Sequence, residues 1–105
     1  MRYFPILRLR YDSSSIQLRD VTSGFIEILE NDERIDDSSL FSRFSDFRDD
    51  AILIKVSSYI KTTDYLEFLG ISEELNYRII DIVRDSGTGF ALPGKSIYME
   101  SPPES

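Results

Sequence analysis

The sequence predicts an α+β domain in which two helices lie on one face of a four-stranded sheet. Three observations carry that prediction. The segments around Leu7 and Ile54 alternate apolar and polar side chains with the period of two that marks a half-buried strand. Two longer segments, opening at Ser14 and Asp64, repeat apolar residues every three or four positions behind side chains that cap helices. Gly87 then stops the second of these, and Pro93 stops the run after it.

Taken in order, the first strand puts Tyr3, Leu7, Leu9 and Tyr11 on one face and Arg8 and Arg10 on the other. Ser14 and Gln17 have the spacing of a capping box, in which each side chain satisfies a backbone N–H of the other. Leu18, Val21, Phe25, Ile28 and Leu29 form the stripe of that helix. Gly24 lies within it at a cost of about 1 kcal/mol relative to Ala, which points to a close backbone contact there. "NDERIDD" reads as a polar turn.

"SLFSRFSDF", aromatic at Phe41, Phe44 and Phe47, reads as a strand, and "RDD" turns it into "AILIKVSSYIK". In the latter, Ile52, Ile54, Val56, Ser58 and Ile60 share one face, and Leu53, Lys55, Ser57, Tyr59 and Lys61 the other. Asp64 and Glu67 cap the second helix, whose stripe is Phe68, Ile71, Leu75, Ile79, Ile82 and Val83. "TGFAL" returns as a strand, Pro93-Gly94 turns, and "KSIYME" is a short extra C-terminal strand. The order is that of a ferredoxin-like split βαββαβ sandwich. The expected division is a domain over 2–93, a short strand over 94–100 and a disordered tail over 101–105, where "SPPES" can continue neither ladder nor helix.

Composition excludes whole classes of chemistry. The chain has no cysteine and no histidine, which removes disulfides, thiolate or Ser-His catalysis and the usual zinc ligands, and fits a reducing, intracellular setting. A formal net charge of −7 over 105 residues argues against nucleic acid and against anionic lipid as partners. No apolar run is long enough for direct membrane insertion, and "MRYFPILRLRYD" lacks the marks of a signal peptide.

The remaining motifs are faint. "GTG" at Gly87–Gly89 follows a helix, whereas a phosphate loop precedes one, so it reads as a helix stop. The acidic run Glu30, Asp32, Glu33, Asp36 and Asp37 lacks the register of a calcium loop. Asp49 and Asp50, on a two-residue turn, would be wet and ordinary rather than an acid–base pair. Phe41, Phe44 and Tyr59 on adjacent strands faintly suggest an RNA-stacking sheet, but its signature is missing. Residue by residue, the sequence reaches a non-enzymatic acidic domain with no cofactor, and one face of its sheet must meet solvent or a partner.

"RYDSSSIQLRDV", "FSDF", "KTTDYLEFL", "GTGFALP" and "KSIYME" together resemble the C-terminal cytoplasmic region of the small-conductance mechanosensitive ion channel family. The resemblance covers residues 2–100, and "KTTDYLEFL" and "GTGFALP" are its specific part. It implies a non-catalytic domain of a homo-heptameric bacterial channel, on the cytoplasmic side of the inner membrane. Identical subunits there form a hollow cage, or vestibule, that supports assembly and filters solutes. It also implies that the strand Ser96–Met99 joins a small barrel at the channel base, so that Phe90, Pro93, Ile97, Tyr98 and Met99 are the candidate interface residues. The sequence departs from the family at Asp32-Glu33, Leu92 and Gly94-Lys95. It also lacks the family's transmembrane helices and middle β-domain, so it is expected to be either a fragment or a stand-alone relative. The alternative is a stand-alone small-ligand or regulatory binding module on the same fold.

Overall fold

The structure, a computed structural model, describes residues 1–48 and 50–91. The chain opens with a strand in two pieces, β1 (Arg2–Tyr3) and β2 (Ile6–Arg10). One register runs through both against β4 (Ala51–Ile60), from Arg2 opposite Tyr59 to Arg10 opposite Ala51. Pro5 makes the break: it has no N–H to donate, although its carbonyl still accepts from Val56 N at 3.1 Å.

On its other side β4 pairs with β3 (Ile35–Arg48), and Arg48 opposite Ala51 leaves a two-residue connection. Asp50 in that turn has φ 63°, the left-handed conformation that such tight hairpins require. After the second helix the chain returns along the free edge of β2. Leu9 and Phe90 form an antiparallel bridge, Arg10 N donates to Gly89 O at 2.9 Å and Ala91 N to Arg8 O at 2.8 Å. The lateral order is thus the Phe90 segment, β2, β4, β3, which is the ferredoxin-like split βαββαβ arrangement that the sequence predicts.

Helix α1 (Ser15–Glu30) begins at the expected capping box, Gln17 N donating to Ser14 Oγ at 3.1 Å and Ser14 N to Gln17 Oε1 at 2.9 Å. The Gln17 amide also donates to Gly87 O at 2.9 Å, tying the start of α1 to the end of α2 (Tyr65–Asp85). Gly87 has φ 85°, so the left-handed stop falls where the sequence places it. Asp64 caps α2 by accepting from Leu66 N at 3.0 Å. Between helices and sheet lie Leu9, Val21, Ile54, Ile60, Leu75 and Val83, none more than 2% exposed. Burying each stabilises the fold by about 1.5–3 kcal/mol before chain entropy is charged against it.

Two readings need correction. Strand β3 starts at Ile35, inside the segment read as a polar turn, and Ile35 is buried opposite Ile60. A single apolar residue among charges carries no periodicity, so its pairing partner, distant in sequence, decides its place. Tyr11 lies past the end of β2 and is 62% exposed, edge-on to Phe47 with ring centroids 5.9 Å apart. The Pro93-Gly94 turn, the strand over 94–100 and the tail over 101–105 lie outside the described residues.

A Cβ added at Gly24 would stand 3.1 Å from Ile82 Cγ2, so the close contact expected there is a side chain of α2 against the backbone of α1. Replacement Gly24→Val is therefore expected to cost about 1–3 kcal/mol in urea unfolding, since the added branch has to push α2 away.

Candidate interaction surface

The described residues hold few clustered or enclosed polar groups. No group of His, Cys, Asp and Glu among them is placed to hold a metal ion. The narrow space under Tyr3, lined by Phe25, Leu75, Ile79 and Arg78 among others, is about 10 Å³, room for one water at most and mostly apolar. The larger concavities are open surface grooves. Tyr3 is held inside by its hydroxyl, which donates to Asn76 Oδ1 at 2.6 Å, and burial raises the pKa of that hydroxyl. This anchors strand to helix.

The surface, by contrast, is strongly organised. The sheet face away from the helices is built by the residues that alternate with the core set: Arg2, Phe4, Ile6, Arg8 and Arg10 from the first strand, with Leu53, Lys55, Ser57 and Tyr59 from β4. Strand β3 adds Phe41 opposite Ser57, Arg43 opposite Lys55 and Arg48 opposite Ala51. The face therefore carries six cations against two carboxylates, Asp36 and Asp46. Its centre is apolar and aromatic. Phe4 and Phe41 meet edge to face at 6.3 Å, and the Arg2 guanidinium sits 4.1 Å above the Phe4 ring. Ile6, Phe41 and Tyr59 are 50%, 37% and 43% exposed, so each keeps a large apolar surface open in the single chain.

The opposite side is acidic. Helix α2 carries a second apolar stripe turned away from the core, because Leu66, Leu69, Tyr77 and Ile80 fall together at 3.6 residues per turn and all are exposed. Glu73 lies within this stripe and accepts from the Tyr77 hydroxyl at 2.8 Å, which raises the pKa of that hydroxyl. Glu67, Glu74, Asp81 and Asp85 run along one flank. Gly70 leaves an open notch, with no atom within 4 Å of where a Cβ would be.

One polar cluster braces the acidic side. Arg34 donates to Asp32 Oδ2 at 2.7 Å and to Glu74 Oε1 at 2.9 Å, joining the turn after α1 to α2. Its hydrogen bonds hold both carboxyls below their ordinary range, and the two carboxylates raise the pKa of Arg34 in turn.

Of the interface residues named from the sequence, Phe90 is 39% exposed on the edge beside β2, and Pro93, Ile97, Tyr98 and Met99 lie outside the described residues. The aromatic trio is split: Phe41 and Tyr59 share the open face, while Phe44, opposite Ile54, belongs to the helix side. Sequence reasoning missed the two polarised faces. The signal was present in the alternation of Arg2, Arg8, Arg10 and Lys55 against apolar neighbours, but the overall charge of −7 concealed it.

Fold and surface together define an α+β module whose largest features are two unlike faces. A sequence model of the family described as "Mechanosensitive ion channel MscS, C-terminal" matches residues 7–90. The chain is 33% identical over 106 residues to the low conductance mechanosensitive channel YnaI of Escherichia coli, covering 98% of this chain and 31% of that one. It is 31% identical over 96 residues to an uncharacterised MscS family protein of Aquifex aeolicus, covering 90% of this chain and 26% of that one. Among solved structures, Helicobacter pylori MscS in its closed state matches with a TM-score of 0.64 at 19% identity, over 96% of this chain and 38% of that one. Arabidopsis thaliana MSL1 matches with a TM-score of 0.76 at 10% identity, over 87% of this chain and 33% of that one, so the likeness there is one of fold. The chain belongs to the MscS family of mechanosensitive ion channels and corresponds to its C-terminal domain. That is a family of ion channels rather than of enzymes, and this chain spans less than a third of the two relatives' length. No described helix is long and apolar enough to cross a membrane.

The Arg34 cluster sets a pH dependence. Carboxyls whose pKa is lowered on folding stabilise the fold above their unfolded values, and that contribution fades as pH falls through the folded ones. Replacement Arg34→Met is expected to cost about 1 kcal/mol at neutral pH, a modest figure because Arg34 is 39% exposed and solvent screens it. In urea titrations the gap from wild type should close below about pH 4.

Proposed function

We propose that this domain is a non-catalytic part of the cytoplasmic cage of a bacterial small-conductance mechanosensitive channel, on the cytoplasmic side of the inner membrane, where identical subunits assemble and solutes are filtered. The observation that carries the reading is the family match over residues 7–90, within a chain that aligns with under a third of a relative named as a mechanosensitive channel. Two large unlike faces and the lack of an enclosed polar pocket among the described residues support an assembly role over ligand binding. An acidic surface lining a vestibule would also bias the ions collected there through its summed field. In this reading residues 2–93 form the domain, 94–100 supply a strand to a barrel at the channel base, and 101–105 trail from it. Phe90 and Pro93 lead into that strand, and Ile97, Tyr98 and Met99 pack within a homo-heptamer.

A chimera tests this reading. With this chain in place of the matching C-terminal stretch of Escherichia coli YnaI, the channel is expected to assemble and pass tension-gated current in membrane patches. A chimera that reaches the membrane yet stays unassembled overturns the reading. Within that chimera, deletion of Lys95–Ser105 is expected to leave the domain folded but to weaken association of the subunits, seen as a lower mass in detergent by light scattering.

A further inference from the structure

We propose that the basic face of the sheet is the seat for the outer face of α2 from a second copy of this chain, so that neighbours join head to tail. The proposal rests on the reading of the chain as an assembly domain and specifies which of its surfaces meet.

Complementarity carries the argument. Each face has an apolar centre, Ile6, Phe41 and Tyr59 on the sheet and Leu66, Leu69, Tyr77 and Ile80 on the helix, and each is exposed in the single chain. The charges around those centres are opposite. Among the described residues, Arg2, Arg8, Arg43 and Lys55 form no ion pair, whereas Arg10 and Arg48 are engaged by Asp12 and Asp46. On the helix, Glu73, Asp81 and Asp85 likewise form no ion pair among the described residues, and Glu74 alone is held by Arg34. Arginines and aromatics also belong to the residue types that interface centres favour, whereas lysine and the acids suit the rim.

Charge also decides the symmetry. Sheet against sheet would bring six cations onto six cations, and helix against helix would oppose two rows of carboxylates. Both arrangements would be two-fold dimers, and both carry like-charge repulsion. Sheet against helix sets unlike net charges against each other, even with Arg84 at the end of the helical stripe. Such a contact uses different surfaces on the two partners, so it leaves one of each free and propagates until a ring closes.

Size sets the strength. From Leu66 to Ile80 the helical stripe is about 21 Å long, and a single helix of that length laid on a sheet buries less than the roughly 800 Å² per partner of a standard stable interface. One contact is therefore weak, and closing a ring multiplies it. Gly70, open in the single chain, lets an arginine or aromatic side chain of the neighbour approach the helix backbone.

The test uses charge reversal in two variants of this chain, Arg8→Glu with Arg43→Glu on the sheet, and Glu73→Arg with Asp81→Arg on the helix. All four positions are exposed, and circular dichroism checks that each variant is folded; should one not fold, the Gln replacements serve at the same positions. In sedimentation velocity from micromolar to millimolar protein, wild type is expected to climb in mass with concentration and to fall back in high salt. Each variant alone is expected to stay monomeric, and an equimolar mixture to associate again, since the intact helix of one meets the intact sheet of the other. A monomeric wild type, a helix variant that associates as wild type does, or a mixture that stays apart overturns the proposal. So does a sheet face that binds an anionic polymer while the protein remains monomeric. Failure here with a working chimera moves the contact to another face, whereas failure of the chimera removes the assembly reading itself.

Discussion

Strand β4 is the constraint on which the rest of this domain depends. It is hydrogen-bonded along both edges, by β1 and β2 on one side and β3 on the other, and its inward residues Ile52, Ile54, Val56 and Ile60 are nearly inaccessible. A one-residue slip of such a strand against either neighbour would turn its apolar set outward. The observed register then fixes its neighbours. It places Leu7 and Leu9 beneath the helices, draws Ile35 into the sheet and tolerates Pro5 as a local break instead of an end. It also fixes, by the same alternation, which side chains must face outward. The polarised surface is thus a by-product of the register that builds the core.

Much of the fold was legible because the signals were local. Caps, stripes and the glycine stop each lie within a few residues of the element they define, and Ser14, Gln17, Asp64 and Gly87 all act as read. What escaped depended on pairing. Strand β3 contains two irregularities in register, between Asp36 and Phe41 and between Phe44 and Asp46. Each shifts the alternation, so the aromatic residues of "SLFSRFSDF" could not be assigned to faces from spacing alone. The surface was harder still. Net charge is a sum, and the sum of a basic face and an acidic one is a modest negative number that describes neither.

Helix α2 shows how one segment serves two purposes. Its core stripe, from Phe68 to Val83, holds the domain together, and an outer stripe from Leu66 to Ile80 keeps large apolar groups in water. Exposure of this kind is a liability for an isolated domain and a resource for an assembled one. The flanking carboxylates limit the liability, since they keep two such helices from meeting each other. Arg34 contributes from a different direction by pinning Glu74 and Asp32, so the turn after α1 and the flank of α2 hold their positions as one body.

The edge strand at Phe90 has a mechanical consequence. Its hydrogen bonds, Arg10 N to Gly89 O and Ala91 N to Arg8 O, lie across the strand direction. A pull along the strand therefore loads both bonds together, in shear, instead of peeling them one after another. The load passes into β2 and, through Gly87 and the Gln17 side chain, into the first turn of α1. Tension arriving at Ala91 would therefore be spread across sheet and helix and would not fall on any one bond alone.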